Sequence, residues 1–149
     1  MQKIIYLIIV VCFISLIYFY FSRRNSKSIT QIINNQYYLL EIANNPYLQA
    51  KGLSKRNYLC PNCGMLFIFN HETIQTFWMK DTLIPLDIIF INSQNQITDI
   101  YTANPEPNKS DFQLTLYQSS VPAQFVIELN SGDAQKLNLK KGDYLKPNL

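Results

Sequence analysis

The hydrophobic pattern separates an unbroken apolar segment at the N-terminus from a region of short apolar runs. Residues 4–21 carry no charge, and Ser15 is the only member that is neither apolar nor aromatic. As a helix this segment measures about 27 Å, close to the hydrocarbon thickness of a bilayer. No small-residue cleavage site follows it, as a signal peptide would require. We therefore expect an uncleaved anchor with its basic flank over residues 1–28, and a polar linker over residues 29–35.

The charges around this segment leave its orientation open. Arg23, Arg24 and Lys27 follow the apolar run, and a positive-inside count then places the downstream domain in the cytoplasm. A short tail carrying only Lys3 before the run is also typical of a signal anchor that exports its C-terminal side. We expect a single-pass membrane protein with an extracytoplasmic domain, and a cleaved signal peptide is the alternative.

The remaining residues, 36–149, predict one strand-rich domain. Asn45 and Pro46 begin a short helix that Gly52 ends, and a second short helix is predicted over residues 132–137 with Ser131 or Asn130 as its cap. Because no strand–helix–strand rhythm is apparent, we predict a mainly β (α+β) fold, an antiparallel jelly-roll-like β-sandwich or barrel. The predicted strands are 36–43, 65–69, 75–79, 87–91, 97–101, 125–129 and 144–145.

The net charge argues against a nucleic-acid partner. The formal charge is +3, from 13 basic and 10 acidic side chains. Four of the basic residues precede residue 29, which leaves nine basic against ten acidic residues in the rest of the chain. A nucleic-acid-binding domain is expected to carry its positive excess on the fold itself. We therefore expect no nucleic-acid partner, and nothing in the composition calls for a cofactor.

Residues 77–87, FWMKDTLIPLD, concentrate polar groups between apolar runs. Trp78 offers a flat apolar surface of the kind that binds sugar rings, Lys80 offers a cation, and Asp81 or Asp87 offers a carboxylate. Thr82 completes the predicted ligand-binding set. The structural alternative carries equal weight: Asp87 caps a turn, Lys80 pairs with an acid, and Trp78 packs in the core.

Other blocks accompany this motif in a specific order and spacing. They are Gly52-Leu53, residues 64–67, 88–91 and 121–123, Glu128-Leu129, and residues 141–143. From about Tyr38 to Leu145 the chain resembles the domain-of-unknown-function 192 family (DUF192). The resemblance implies a mainly β, jelly-roll-like sandwich domain, often preceded by a signal or membrane segment, with no established activity. The chain departs from the family in having Asp81 where an Asn is usual, and in lacking a Cys common in the 104–111 region.

Cys60 and Cys63 form a Cys-x-x-Cys motif with several possible roles. A redox pair needs a helix start, whereas a strand is predicted directly after Cys63. A zinc site needs two further ligands, and His71 is the only histidine available. We therefore expect no bound metal, with Cys60 and Cys63 as the candidate ligands if one is present. The favoured interpretation is a loop staple or two free thiols.

Two functional hypotheses follow from these features. The first is a membrane-tethered, non-catalytic binding or accessory module for a small-molecule, glycan or protein ligand. The second is a small hydrolase-like enzyme in which Asp87 or Asp81 acts as acid or base and Lys80 stabilises developing negative charge. The lack of a complete catalytic set favours the first hypothesis.

Overall fold

The computed structural model describes Tyr6, residues 10–15 and residues 27–149. Tyr6 and residues 10–15 are helical. Most of the predicted anchor, residues 1–28, therefore lies outside the described residues. Within the part that is described, no helix has the length and apolar character needed to cross a membrane.

Eight strands, two short α-helices and one 3-10 turn follow one another along residues 28–136. The strands are β1 (Ser28–Ile33), β2 (Gln36–Ala43), β3 (Cys63–Thr73), β4 (Thr76–Phe77), β5 (Leu86–Ile91), β6 (Ile97–Ala103), β7 (Tyr117–Gln118) and β8 (Ala123–Asn130). The helical elements are α1 (Pro46–Lys51), the 3-10 turn Asp111–Gln113 and α2 (Asp133–Lys136). The prediction of a mainly β domain with two short helices is confirmed.

Six strands form one mixed sheet in the order β1-β2-β3-β8-β5-β6, and β4 pairs with β7 in a separate ribbon. Strands β2 and β3 run parallel, so the predicted wholly antiparallel arrangement is wrong at this pair. In the described region β1 and β6 are the two edges and no barrel closes. β2 and β3 run parallel because a crossover connects them: α1 and the segment after it return the chain to the end of the sheet where β2 began. The sequence indicated α1 but not its place between two parallel strands.

Strand β1 lies in the segment that was predicted as a linker. Asn34 and Asn35 both adopt positive φ, 43° and 66°, which is the geometry of a tight hairpin turn. Residues 28–33 therefore fold back along β2 in antiparallel register. The side-chain amide of Gln31 also donates to the Lys146 carbonyl (3.1 Å), which attaches the C-terminal segment to this edge.

Both faces of the large sheet are covered by core residues, and two acidic residues, Asp87 and Glu128, lie on opposite faces. Asp87 in β5 is paired with Leu129, and Ile88 is paired with Glu128. Side chains of residues paired across antiparallel strands share a face, and successive residues alternate. The core on the Asp87 face includes Ile33, Leu40, Leu66, Ile89, Ile127 and Leu129. The core on the Glu128 face includes Met65, Phe67, Met79, Ile88, Phe90 and Val126.

The Cys-x-x-Cys motif forms a turn immediately before β3. Cys60 and Cys63 are joined in a disulfide. Asn62 takes a positive φ of 56°, and the backbone N–H of Cys63 donates to the Cys60 carbonyl (3.1 Å). Of the interpretations left open, the structure therefore selects the loop staple over two free thiols.

Candidate functional site

A cavity of about 220 Å³ opens on the Glu128 face of the sheet, and we call it the Glu128 pocket. Gly52, which ends α1 at a positive φ of 48°, is one of the residues that line it. A Cβ at this position would lie 3.5 Å from Cζ of Phe67 and 3.8 Å from Oε2 of Glu128. The lining residues come from α1 and the turn after it, β3, the segment 75–82 and β8: Gln49, Ala50, Lys51, Gly52, Leu53, Phe67, Phe69, Gln75, Thr76, Phe77, Trp78, Lys80, Thr82 and Glu128.

The carboxyl group of Glu128 lies at the bottom of this pocket. The residue is only 5% exposed, and its Oε2 atom has no hydrogen-bond partner among the described residues. Burial raises the pKa of Glu128 to about 8, although the nearby positive charge of Arg56 acts in the opposite direction. Buried polar atoms in proteins are nearly always paired, so an unpaired carboxyl oxygen beside a cavity is a candidate ligand contact.

Aromatic rings form one side of the pocket. Trp78 is 49% exposed, so its ring is available at the opening. Behind it, Phe77 meets Phe67 edge to face with ring centroids 4.8 Å apart, and meets Phe69 in the same way at 6.5 Å. These contacts hold Phe77 in place by packing alone. Trp78 is the most exposed of the aromatic rings that line the pocket.

The cationic side chains stand at the open side of the pocket. Lys80 Nζ forms an exposed ion pair with Asp111 Oδ2 (2.6 Å), and this hydrogen bond raises the pKa of Lys80. Thr82 is buried and donates its hydroxyl to the Lys80 carbonyl (3.3 Å), which holds the turn. Lys51, in the last turn of α1, is the second exposed cation in the lining.

Asp81 lies outside the Glu128 pocket. It lines a neighbouring hollow of about 310 Å³ together with Asp111 and Leu114. Its backbone takes a positive φ of 53°, and its carbonyl accepts a hydrogen bond from the Lys55 N–H (2.7 Å). Asn and Asp are the non-glycine residues that best tolerate this conformation. This explains how Asp81 can stand where the family usually has Asn.

Asp87 lies across the sheet from Trp78 and Lys80, and it is 1% exposed. Its Oδ1 accepts the Thr102 hydroxyl (2.8 Å), and its Oδ2 accepts the Ala134 N–H (2.9 Å). The second bond caps α2, which follows Gly132 and has no cap from its own neighbours. The predicted cap by Ser131 or Asn130 is therefore wrong.

Tyr38 belongs to the same buried polar group as Asp87. Burial, together with the carboxyl groups of Asp133 and Asp87, raises the pKa of Tyr38 to about 12. The hydrogen bond between Tyr38 and Asp133 contributes to this shift. The tyrosine hydroxyl therefore stays protonated throughout the neutral range and acts as a hydrogen-bonding partner.

Comparison with known proteins identifies the family to which this chain belongs. The model of the DUF192 family, described as "Uncharacterized ACR", matches residues 29–147. The chain belongs to the DUF192 family. No curated protein sequence matches this DUF192 chain.

Two crystal structures are similar to this DUF192 domain. One is from Sinorhizobium meliloti 1021 and is provisionally described as a transcription regulator. It is 30% identical, with a TM-score of 0.69 over 82% of this chain and 93% of that one. The other is a protein of unknown function from Novosphingobium aromaticivorans DSM 12444. It is 33% identical, with a TM-score of 0.66 over 81% of this chain and 84% of that one.

The predicted site residues of this DUF192 domain therefore do not all lie in one site. Trp78, Lys80 and Thr82 meet in the Glu128 pocket, whereas Asp81 and Asp87 do not line it. Sequence reasoning did not select Glu128 as a site residue. One signal was available, because Glu128 is the only charged residue in the apolar run of β8. An isolated acid in a strand buried on both faces indicates a special role.

We expect replacement of Asp87 by alanine to destabilise this DUF192 domain by about 2–3 kcal/mol. The loss leaves the buried Ala134 N–H and the more accessible Thr102 hydroxyl without their acceptor. Urea unfolding of wild type and variant measures the effect. The matched control is Asp111→Ala, which removes an exposed ion pair and should change stability by less than about 0.5 kcal/mol. Equal stability of both variants would show that Asp87 has no capping role.

Proposed function

We propose that this DUF192 protein is a membrane-tethered, non-catalytic binding module that takes a small amphipathic ligand, such as a sugar, in the Glu128 pocket. The observation that carries the proposal is that Glu128 lines the cavity while its buried Oε2 lacks a hydrogen-bond partner among the described residues. A ligand bound there supplies the missing hydrogen bond. Ligand sites typically combine such a convergent polar group with apolar and aromatic walls.

Trp78 and its neighbours supply the apolar part of this site. The half-exposed ring of Trp78 offers a flat surface, and Phe77 is fixed behind it by its edge-to-face contact with Phe67. The apolar face of a sugar ring packs on such a surface, while its hydroxyl groups reach polar groups deeper in the pocket. A pocket that combines these features favours an amphipathic ligand over a purely apolar one.

The distribution of carboxyl groups favours binding over hydrolysis. Glu128 is the only acid among the residues that line its pocket. Glycoside hydrolysis ordinarily needs a pair of carboxyl groups on either side of the scissile bond. Of the two acids predicted for hydrolysis, Asp81 does not line this pocket, and Asp87 is on the opposite face with both carboxyl oxygens already accepting hydrogen bonds. The hydrolase hypothesis therefore has less support than the binding hypothesis.

The membrane tether is proposed from the apolar segment over residues 4–21. This segment has the length of a membrane-spanning helix, and the basic residues after it are typical of a membrane flank. Because β1 begins at Ser28, few residues separate the segment from the domain. The pocket would therefore face ligands close to the membrane surface.

Tryptophan fluorescence tests the proposed binding directly, because Trp78 is the only tryptophan in the chain. We expect a monosaccharide panel, titrated into the full-length protein in detergent micelles, to include a ligand that changes this fluorescence without being consumed. Calorimetry should then show that Trp78→Ala weakens binding at least about tenfold, or about 1.4 kcal/mol. Tyr144→Ala, which alters an exposed tyrosine outside the lining of the pocket, is the control and should bind normally. Turnover of the ligand would contradict a non-catalytic role.

A further inference from the structure

The charges around the Glu128 pocket restrict the class of ligand that can bind there. This inference rests on the binding function proposed above. Lys51 and Lys80 are exposed lining residues, whereas Glu128 is buried and is the only acid in the lining. The positions of these groups define a direction, with positive charge at the opening and a carboxyl group at the bottom. A ligand that fits must therefore differ in charge between its two ends.

Lys80 retains the capacity to bind an anion although it pairs with Asp111. Both partners are exposed, with 43% and 55% of their side chains accessible, and exposed ion pairs contribute little free energy. An ammonium group has three donors, and Asp111 takes one of them. Lys51 adds a second ammonium group in the lining of the pocket. Together these two lysines favour a carboxylate at the open side.

The bottom of the pocket favours an uncharged oxygen. Arg56 is the cation that acts on Glu128, and it is already engaged with both carboxyl oxygens of Glu41. Oε2 of Glu128 accepts no hydrogen bond from Arg56 or from any other described residue. A carboxyl group in such a buried place keeps its proton in the neutral range, and it can then donate a hydrogen bond. An organic cation would instead require ionised Glu128 and would pass two lysines on entry.

We infer that the pocket selects a small hydroxylated carboxylate, such as a sugar acid. The carboxylate contacts Lys51 and Lys80, the ring packs on Trp78, and a hydroxyl or ring oxygen accepts a hydrogen bond from the carboxyl group of Glu128. Each contact uses a group that lines the same cavity.

Three probes of one shape and different charge test this assignment: glucuronate, glucose and glucosamine. They are titrated into the full-length protein at about pH 6.5, where glucosamine is cationic, and binding is followed by Trp78 fluorescence and calorimetry. We expect glucuronate to bind at least about tenfold more tightly than glucose, and glucosamine to bind most weakly. Lys51→Ala and Lys80→Ala should each reduce this preference for glucuronate over glucose.

Two substitutions of Glu128 test whether the protonated or the ionised form of its carboxyl group contacts the ligand. Glu128→Gln keeps a hydrogen-bond donor of nearly the same shape, and we expect it to weaken glucuronate binding by less than about threefold. Glu128→Leu removes the donor and should weaken binding at least about tenfold. A loss in both variants would show that the negative charge is required, and it would overturn the assignment.

The remaining outcomes show separately whether the assigned ligand class is wrong and whether the pocket binds a ligand at all. Tightest binding of glucosamine, or equal binding of glucose and glucuronate, would overturn the sugar-acid assignment while leaving the pocket as a binding site. If none of the three probes changed Trp78 fluorescence or released heat, both the ligand class and the proposed binding function would be contradicted.

Discussion

Replacing Gly64 with alanine is expected to destabilise this DUF192 domain severely. Gly64 lies in β3, an internal strand of the large sheet. A Cβ there would lie 2.4 Å from the backbone oxygen of Glu128, 2.7 Å from Cδ2 of Leu129 and 2.8 Å from Cδ2 of Leu40. The oxygen belongs to the neighbouring strand and cannot move without breaking the β3–β8 pairing. We expect a loss of about 3 kcal/mol or more, measured by urea unfolding or seen as a failure to fold.

Gly142→Ala is the matched control for this substitution. A Cβ at Gly142 meets nothing within 4 Å, but the residue has a positive φ of 93°. The substitution therefore changes backbone strain without a clash, at a cost of about 1 kcal/mol. Equal stability of the two variants would mean that β3 and β8 can separate slightly, and that the close approach at Gly64 is not required.

Glu128 is expected to make the domain lose stability as the pH rises from about 5 to about 9. Its pKa in the folded protein is about 8, against an ordinary value of 4.5. Because the folded state binds this proton more tightly, the contribution is fully present below pH 4.5 and is lost as the pH rises through 8. Within that interval the slope should approach about 1.4 kcal/mol per pH unit. Urea unfolding at a series of pH values measures the free energy directly.

Glu128→Gln isolates this contribution, because an amide does not titrate. The variant should show a nearly flat stability profile over the same range, so its difference from wild type should grow with pH. The lowered pKa values of Asp99 and Glu106 do not confuse the comparison. Their effect has the opposite sign and falls below about pH 4.5, near the ordinary values of these acids. Parallel profiles of variant and wild type would contradict the assignment of a protonated Glu128.

Local sequence signals predicted both ends of α1 and the two strands of the β5–β6 hairpin correctly, although they placed the cap of α2 on the wrong residue. Asn45, Pro46 and Gly52 marked the two ends of α1, and the side chain of Asn45 does accept the Leu48 N–H (3.0 Å). Strands are predicted over residues 87–91 and 97–101, and the loop between them joins β5 and β6 as an antiparallel hairpin. These signals act between residues a few positions apart, where the backbone geometry of a cap or a turn depends on side chains close in sequence. For that reason they can be interpreted without the fold.

The resemblance to the DUF192 family is also confirmed, and it was carried by blocks spread over the whole domain. One of these blocks holds the motif with Trp78 and Lys80. The motif does contribute to the Glu128 pocket, but its two aspartates do not line it. Asp81 occupies a turn position with positive φ, and Asp87 caps a helix on the other face. Sequence proximity therefore grouped residues that the sheet separates.

The sequence by itself determined the strand-rich class of this domain, the ends of α1 and the family. Only the tertiary structure decided which side chains meet. β5 is buried at all six positions, so no polar–apolar alternation shows that Asp87 faces α2. β8 is covered on both faces too, and only its register with β5 places Glu128 on the face of Trp78. Strand register depends on pairing between distant segments, and one step of register exchanges the two faces. The cap on α2 and the carboxyl group of the pocket both follow from that pairing.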